Sequence, residues 1–171
     1  GSAQAFSNLL DRYLVASEAQ DIKPVLILNK VDMLEDNAFP EIHKLIKEYE
    51  FIGYDVLQVS ATTGEGIPEL QDYLTGKTAI FVGQSGVGKS SLINHIQPDA
   101  NMSVGDLSIG KEKGTHTTTV SRLFHLSGGG VLIDSPGIRE FALTHLTKEQ
   151  VINGFIDFRP YLGHCKFRDC S

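Results

Sequence analysis

Thr78-Ala-Ile-Phe-Val82 followed by Gly83-Gln-Ser-Gly-Val-Gly-Lys-Ser90 is the stretch that decides the fold. The first five residues read as a strand that runs straight into Gly83. The next eight match G-x-x-x-x-G-K-[ST] in full, and a helical pattern runs on to Ile96. Between a strand and a helix such a loop has a mechanism. Its glycines let the backbone curl so that successive N–H groups point inward at phosphate oxygens. The helix start adds free amides and the positive end of its dipole. Gly83, Gln84, Ser85, Gly86, Val87, Gly88, Lys89, Ser90 and Ser91 are the expected nucleotide-binding residues of this loop. Lys89 is expected to bridge the β- and γ-phosphates and act in catalysis, and the Ser90 hydroxyl to ligate Mg²⁺. A glycine-rich surface turn would match the pattern equally well, but it would lack the flanking strand and helix.

Outward from this loop the chain alternates. Phe6, Leu9, Leu10, Tyr13 and Leu14 repeat at helical spacing and predict a helix over 3–19. Pro24–Leu28 reads as a buried parallel strand, 39–50 as a helix, Tyr54–Val59 as a strand and Ile67–Leu74 as a helix with Pro68 in its first turn. Beyond the phosphate loop, 97–118 is polar and aperiodic, a long loop of the sort that is usually functional. Thr119–Leu126 and Val131–Ile133 read as strands joined through Ser127-Gly-Gly-Gly130, and 147–158 reads as helical. Strands alternating with helices predict an α/β chain: the three-layer fold of P-loop NTPases with a mostly parallel sheet.

A phosphate loop does not choose between adenine and guanine; Asn29-Lys-Val-Asp32 does. It closes a buried strand, and the Asp32 carboxylate can accept both the N1 and N2 hydrogens of guanine, a pair adenine lacks. A carboxylate left unpaired there would cost on the order of 2–5 kcal/mol. Lys30 is expected to lay its stem along the base, and Asn29 to tie this loop to the phosphate loop. Ser60-Ala61 ends the next strand, where the Ala61 amide can meet guanine O6. The expected ligand is therefore GTP or GDP.

Asp134-Ser-Pro-Gly137 follows the apolar Val131–Ile133. That is where a P-loop NTPase keeps a second acidic residue for Mg²⁺ and a glycine amide for the γ-phosphate, so Asp134 and Gly137 join the candidate site. An ordinary strand-ending turn would favour the same residue types. Gly114-Thr-His-Thr-Thr-Thr119 ends the long loop. A threonine there would complete the Mg²⁺ shell in the GTP state; three adjacent threonines leave the choice open, with Thr118 the candidate. A water-orienting glutamine is expected after Gly137, but Ile138 stands there, so either hydrolysis is slow or another group orients the water. His116 is the candidate catalytic group, because an imidazole can accept from or orient water near neutral pH.

The bulk properties narrow the partners. With 171 residues, 41% hydrophobic and 21% charged, the chain suits one α/β domain. No apolar run reaches the roughly 18–20 residues of a membrane span, and the N-terminus lacks the pattern of a secretory leader. A net charge of −6 argues against gripping nucleic acid by bulk electrostatics. Cys165 and Cys170 make no disulfide framework and fit a reducing, cytoplasmic compartment.

The motifs run in an unusual order: Asn29–Asp32, Ser60-Ala61, Gly83–Ser90, Thr118, Asp134–Gly137. An ordinary GTPase places the phosphate loop first. The same sheet still forms if the old termini are joined and new ones opened, and Thr75-Gly-Lys77 looks like that join. Together with Asp11–Leu14, Leu74–Gly76, Gly83–Asn94, His116–Thr119, Asp134–Phe141 and Tyr161–Cys170, this order resembles the circularly permuted ribosome-biogenesis GTPases called RsgA or YjeQ. The resemblance covers essentially the whole chain. It implies a monomeric GTP-hydrolysing switch in late maturation of the small ribosomal subunit, stimulated by the subunit, and places His116 at the position the family uses in hydrolysis.

The resemblance also implies a division of the chain: a GTPase domain over 3–158 and the start of a zinc-binding domain over 159–171, without the family's N-terminal OB-fold domain. Cys165 and Cys170 match the first two zinc ligands, in C-x₄-C spacing. Two thiolates do not complete a tetrahedral site, so Zn²⁺ is expected in the full-length protein only. Contacts with rRNA are expected mainly through the domains outside this chain. The family's strand beside the phosphate-loop strand would precede residue 3. Two other classes remain in view: a nucleotide-binding interaction module that hardly turns over, consistent with Ile138, and a nucleoside kinase, which would need an acceptor site and lid that the sequence does not offer.

Overall fold

The structure, a computed structural model, describes residues 3–34, 40–84, 86–100, 121–135 and 142–164, with residues 3–6 described by their helical backbone alone. Ser85, His116, Thr118, Gly137, Cys165 and Cys170 lie outside the described residues. The elements are α1 (Ala3–Glu18), β1 (Val25–Asn29), α2 (Pro40–Ile52), β2 (Asp55–Val59), α3 (Ile67–Leu74), β3 (Thr78–Phe81), α4 (Lys89–Ile96), β4 (Arg122–His125), β5 (Val131–Asp134) and α5 (Lys148–Gly154). Among the described residues no helix is long and apolar enough to cross a membrane.

Among the described residues the strands form two sheets, β1-β2 and β3-β5-β4. β3 runs parallel to β5 and β4 antiparallel to it, with Thr78 opposite Val131 and Arg122 opposite Asp134. The β4–β5 pair is the expected hairpin, closed where the Leu126 amide donates to the Gly130 carbonyl at 2.8 Å. The parallel register matters most, because it ends β3 at Phe81 beside Asp134 at the end of β5. The phosphate loop and Asp134-Ser135 therefore emerge at the same end of the sheet, where α/β proteins hold their ligands.

The chain divides into two compact units. The one spanning 27–38 and 57–139 carries the three-stranded sheet. Its core is built from Ile67, Leu70 and Leu74 on α3, Leu92, Ile93 and Ile96 on α4, and Val59, Phe81 and Leu132 on strands. The spacing explains the faces. Ile67, Leu70 and Leu74 fall on one side of a helix, and alternate residues of β5 turn Leu132 and Asp134 inward. Leu70 is 1% exposed, and truncation to alanine would cost about 2–5 kcal/mol.

The other unit, spanning 1–26, 39–56 and 140–171, buries Leu14, Tyr49 and Tyr54, with Leu10, Leu26, Leu45, Ile52 and Ile156 packed around them. Tyr49 donates from its hydroxyl to Asp11 Oδ1 at 2.7 Å, and burial followed by that hydrogen bond pushes its ionisation up. Burial, with Glu18 adding to it, pushes Tyr54 up to about 12. α5 begins on a capping box, Thr147 and Gln150 exchanging hydrogen bonds with each other's backbone amides.

α5 is shorter than the expected helix over 147–158, ending at Gly154. A Cβ at Gly154 would stand 2.7 Å from Val15 Cγ1, so the close approach of α5 to α1 uses the missing side chain. Phe155 then turns extended, and the Arg159 guanidinium reaches back to the Asn153 carbonyl at 2.8 Å and Glu18 at 2.7 Å. These long-range contacts end the helix where local periodicity does not. Strand β4 pairs with β5 over Arg122–His125 of the expected 119–126, Thr119 and Val120 lying outside the described residues.

Candidate functional site

The phosphate loop departs from β3 and closes on α4. Gly86 and Gly88 take left-handed backbone angles, φ 86° and 91°. Gly88 occupies the N-cap of α4 without any side-chain cap, so the first amides of the helix are not satisfied by a capping side chain. Open amides at a helix start are anion-seeking groups. The absence of a side chain at Gly88 has a second consequence. A Cβ there would stand 2.3 Å from Asn29 Nδ2, so an alanine would displace the side chain that ties the loops together.

Asn29, the last residue of β1, is that tie. Its Nδ2 donates to the Val87 carbonyl at 3.0 Å, while its Oδ1 accepts from the amides of Lys30 at 2.8 Å and Ala61 at 3.2 Å. One amide side chain thus joins three segments, the 29–32 loop, the 60–65 loop and the phosphate loop. Lys30 adopts a left-handed conformation, φ 68°, unusual for a residue with a side chain. Its Nζ donates to the Gly86 carbonyl at 3.0 Å. Two neighbouring side chains therefore fasten the 29–32 loop to the phosphate loop.

Asp32 sits in a 3₁₀ turn over Val31–Met33, exposed, and accepts from the Ser60 hydroxyl at 2.5 Å. Ser60 is fully buried, and the same hydroxyl oxygen accepts from the Thr62 and Thr63 amides at 3.2 and 3.1 Å. The hydroxyl's one proton goes to the carboxylate, and its lone pairs take the amides. The 60–65 loop is closed by the Ser60 amide on the Glu65 carbonyl at 2.9 Å. Ala61 is held at its carbonyl too, where His95 Nδ1 donates across 3.2 Å from the last turn of α4.

The opposite end of the site is charged. Lys89 Nζ lies 2.6 Å from Asp134 Oδ1, both side chains nearly buried, and also donates to the Ser135 carbonyl. Among the described residues Asp134 Oδ1 takes no aligned hydrogen bond, so its partner is the ammonium charge. Ser90 and Ser91, half-buried, follow Lys89 on α4. Gly83 and Gln84 lead in from β3, with Gly83 packed beneath the Val87 side chain.

Asn29, Lys30, Asp32, Ser60, Ala61, Gly83, Gln84, Gly86, Val87, Gly88, Lys89, Ser90, Ser91 and Asp134 all fall in the same compact unit. Side-chain hydrogen bonds link Asn29 and Lys30 to Val87 and Gly86, and Asp32 to Ser60. Sequence reading missed three features: the Lys89–Asp134 pair, the double use of the Ser60 hydroxyl and the His95 contact. The first two join residues already singled out, but only the fold shows that they touch. Nothing in the sequence around His95 marks it.

The RsgA GTPase family matches residues 2–144. A protein of Pseudomonas putida named small ribosomal subunit biogenesis GTPase RsgA is 54% identical over 164 residues, 96% of this chain and 48% of that protein. A protein of the same name from Hamiltonella defensa is 57% identical over 166 residues, 96% and 47% of the two chains. The chain thus spans about half the length of the curated relatives it matches. Among solved structures, YjeQ from Thermotoga maritima superposes with a TM-score of 0.71 at 31% identity, covering 96% of this chain and 53% of that one. YloQ, described as a circularly permuted GTPase, gives 0.70 at 34% identity, covering 96% and 50%. An Asn29–Asp32 loop that precedes the phosphate loop in sequence, on this α/β scaffold, has the same explanation in both comparisons: the chain belongs to the RsgA GTPase family, and its fold is the circularly permuted P-loop GTPase fold.

Proposed function

We propose that this chain binds GTP with Mg²⁺, hydrolyses it to GDP and phosphate, and works as a switch in late maturation of the small ribosomal subunit, which stimulates the hydrolysis. The observation that carries the proposal is the fastening of the base-reading loop to the phosphate loop, Asn29 to Val87 and Lys30 to Gly86. Those bonds set a guanine-selective carboxylate at a fixed reach from a phosphate cradle. The names of the relatives supply the ribosomal context.

Each residue has a part. Backbone amides of Gly83–Ser91 hold the phosphates, and Lys89 spans the β- and γ-phosphates, leaving Asp134 when nucleotide arrives. Asp32 takes the N1 and N2 hydrogens of guanine, Ala61 serves O6, and Lys30 lies along the base. Ser90, Asp134 and Thr118 would hold Mg²⁺. A nearly buried carboxylate oxygen that takes no aligned hydrogen bond suits a hard cation with oxygen ligands. When bound, the ion neutralises charge that builds on the phosphate oxygens. Gly137 offers its amide to the γ-phosphate. His116 orients a water whose oxygen bonds to the γ-phosphorus as the bond to the β–γ bridging oxygen breaks, the proton passing to the released phosphate. With Ile138 after Gly137, the chain alone turns over sluggishly, at roughly 10⁻⁴ to 10⁻² s⁻¹.

Cys165 and Cys170 contribute two thiolates to a zinc site of the full-length protein, completed by ligands beyond these two. The negative net charge leaves contact with rRNA mainly to other parts of the full-length protein, and the protein acts as a cytoplasmic monomer. The deciding experiment is GTP turnover by the full-length protein with and without small ribosomal subunits. Stimulated turnover in the parent, lost in His116→Ala, is expected. Equal rates in the two proteins would remove His116 from the reaction, and no turnover under either condition would leave a nucleotide-binding interaction module.

A further inference from the structure

His95 projects from the last turn of the helix that begins with Lys89. It is exposed, yet its ring is not idle on the surface. Nδ1 lies 3.2 Å from the Ala61 carbonyl, and since a carbonyl only accepts, Nδ1 carries the proton. The far side of the ring lies over the same loop. A Cβ at Gly64 would stand 3.6 Å from both Cε1 and Nε2, ordinary contact distance. His95 therefore touches the 60–65 loop through this hydrogen bond, and its ring borders the space that a side chain at Gly64 would fill.

Ala61 is then held on both of its backbone groups, by Asn29 Oδ1 at its amide and by His95 at its carbonyl. The other anchors described are the Ser60 hydroxyl, which donates to Asp32 and accepts from the Thr62 and Thr63 amides, and the Ser60–Glu65 and Gly64–Ser60 backbone bonds. Of the contacts described, His95 alone comes from the helix that follows the phosphate loop. That helix is packed into the core through Leu92, Ile93 and Ile96, so it is a rigid support.

We infer that His95 is a positioning residue for guanine recognition: through the Ala61 carbonyl it fixes the loop that meets the base, tying that loop to the helix that carries Lys89 and Ser90. The inference rests on the guanine-site reading above. His95 touches neither base nor phosphate; it removes freedom from the loop before nucleotide arrives, so binding has less disorder to suppress.

The test compares GDP and ADP affinity, with Mg²⁺ present, for the parent chain, His95→Leu and His95→Gln. Leucine keeps bulk over Gly64 without a donor, and glutamine restores an N–H. Loss of one neutral hydrogen bond predicts GDP binding about 3- to 10-fold weaker in His95→Leu. ADP affinity, which depends on the phosphate cradle, should stay unchanged, and His95→Gln should regain most of the preference for GDP. A proportional fall for both nucleotides would show that His95 serves the phosphate helix and would overturn the inference, as would unchanged GDP affinity. A parent that binds GDP and ADP alike would instead remove the guanine-site reading, and this inference with it. The two failures are thereby distinguished.

Discussion

Lys89 Nζ and Asp134 Oδ1 lie 2.6 Å apart at the ends of two different elements, α4 and β5, with side chains 13% and 12% exposed. The two groups proposed for phosphate and Mg²⁺ thus neutralise each other, and each must be handed to a new partner when nucleotide enters. Removing one member of a mostly buried pair leaves the other uncompensated. Asp134→Asn should destabilise the nucleotide-free protein by about 3 kcal/mol. The double variant Lys89→Met, Asp134→Leu should recover most of that while remaining unable to hydrolyse GTP. Urea unfolding and a turnover assay check both halves.

Asp32 and Ser60 form the second coupled pair. Asp32→Ala should abolish the preference for GDP over ADP, a loss of about 2–5 kcal/mol. Ser60→Ala frees the Asp32 carboxylate and strands the Thr62 and Thr63 amides, so it should lower the preference about tenfold and also lower stability. Calorimetric titration with the two diphosphates separates these outcomes. An unchanged preference in Asp32→Ala would discard the guanine assignment.

Gly88→Ala tests the geometry of the junction. The new methyl would collide with Asn29 Nδ2 and occupy a backbone conformation that side chains disfavour. Nucleotide affinity should fall at least about tenfold, with a stability loss of about 1–3 kcal/mol. Gly129→Ala, left-handed too but with open space around its Cβ, is the control. It should cost stability and leave affinity intact.

The buried tyrosines set an alkaline limit. Tyr49 and Tyr54 both ionise above the ordinary value of 10.0, chiefly because burial penalises the phenolate. Between that value and the raised folded one, the native state holds more protons than the unfolded chain, so stability falls as pH rises. The contribution is intact below pH 10 and is lost as pH climbs through about 12 for Tyr54, and higher still for Tyr49. Unfolding free energy measured against pH should show this decline, and Tyr54→Phe should flatten part of it.

The sequence was most readable where local period and core face coincide. Ile67–Leu74 and Lys89–Ile96 are helices at the expected residues because their apolar positions repeat at helical spacing and all of them meet the core. The phosphate loop was legible for a different reason, since four residues of fixed type spaced across eight positions have few other uses. The end of α5 was not, because the Arg159 contacts with Asn153 and Glu18 that turn the chain back are set by the fold and not by local periodicity. The division into two sheets was equally invisible, strand pairing being a property of segments far apart in the chain. His95 escaped notice because an exposed histidine in a helix has no signature, and its partner lies 34 positions away.

The bond from Asn29 to the Val87 carbonyl spans 58 positions of chain. During synthesis the 29–32 loop is made before the loop that anchors it, and at about 5–20 residues per second the wait is roughly 3–12 s. An unpermuted order would present the anchor first. On the proposed guanine site, the permuted order leaves the newborn polypeptide unable to fasten its Asn29–Asp32 loop until Val87 has left the exit tunnel.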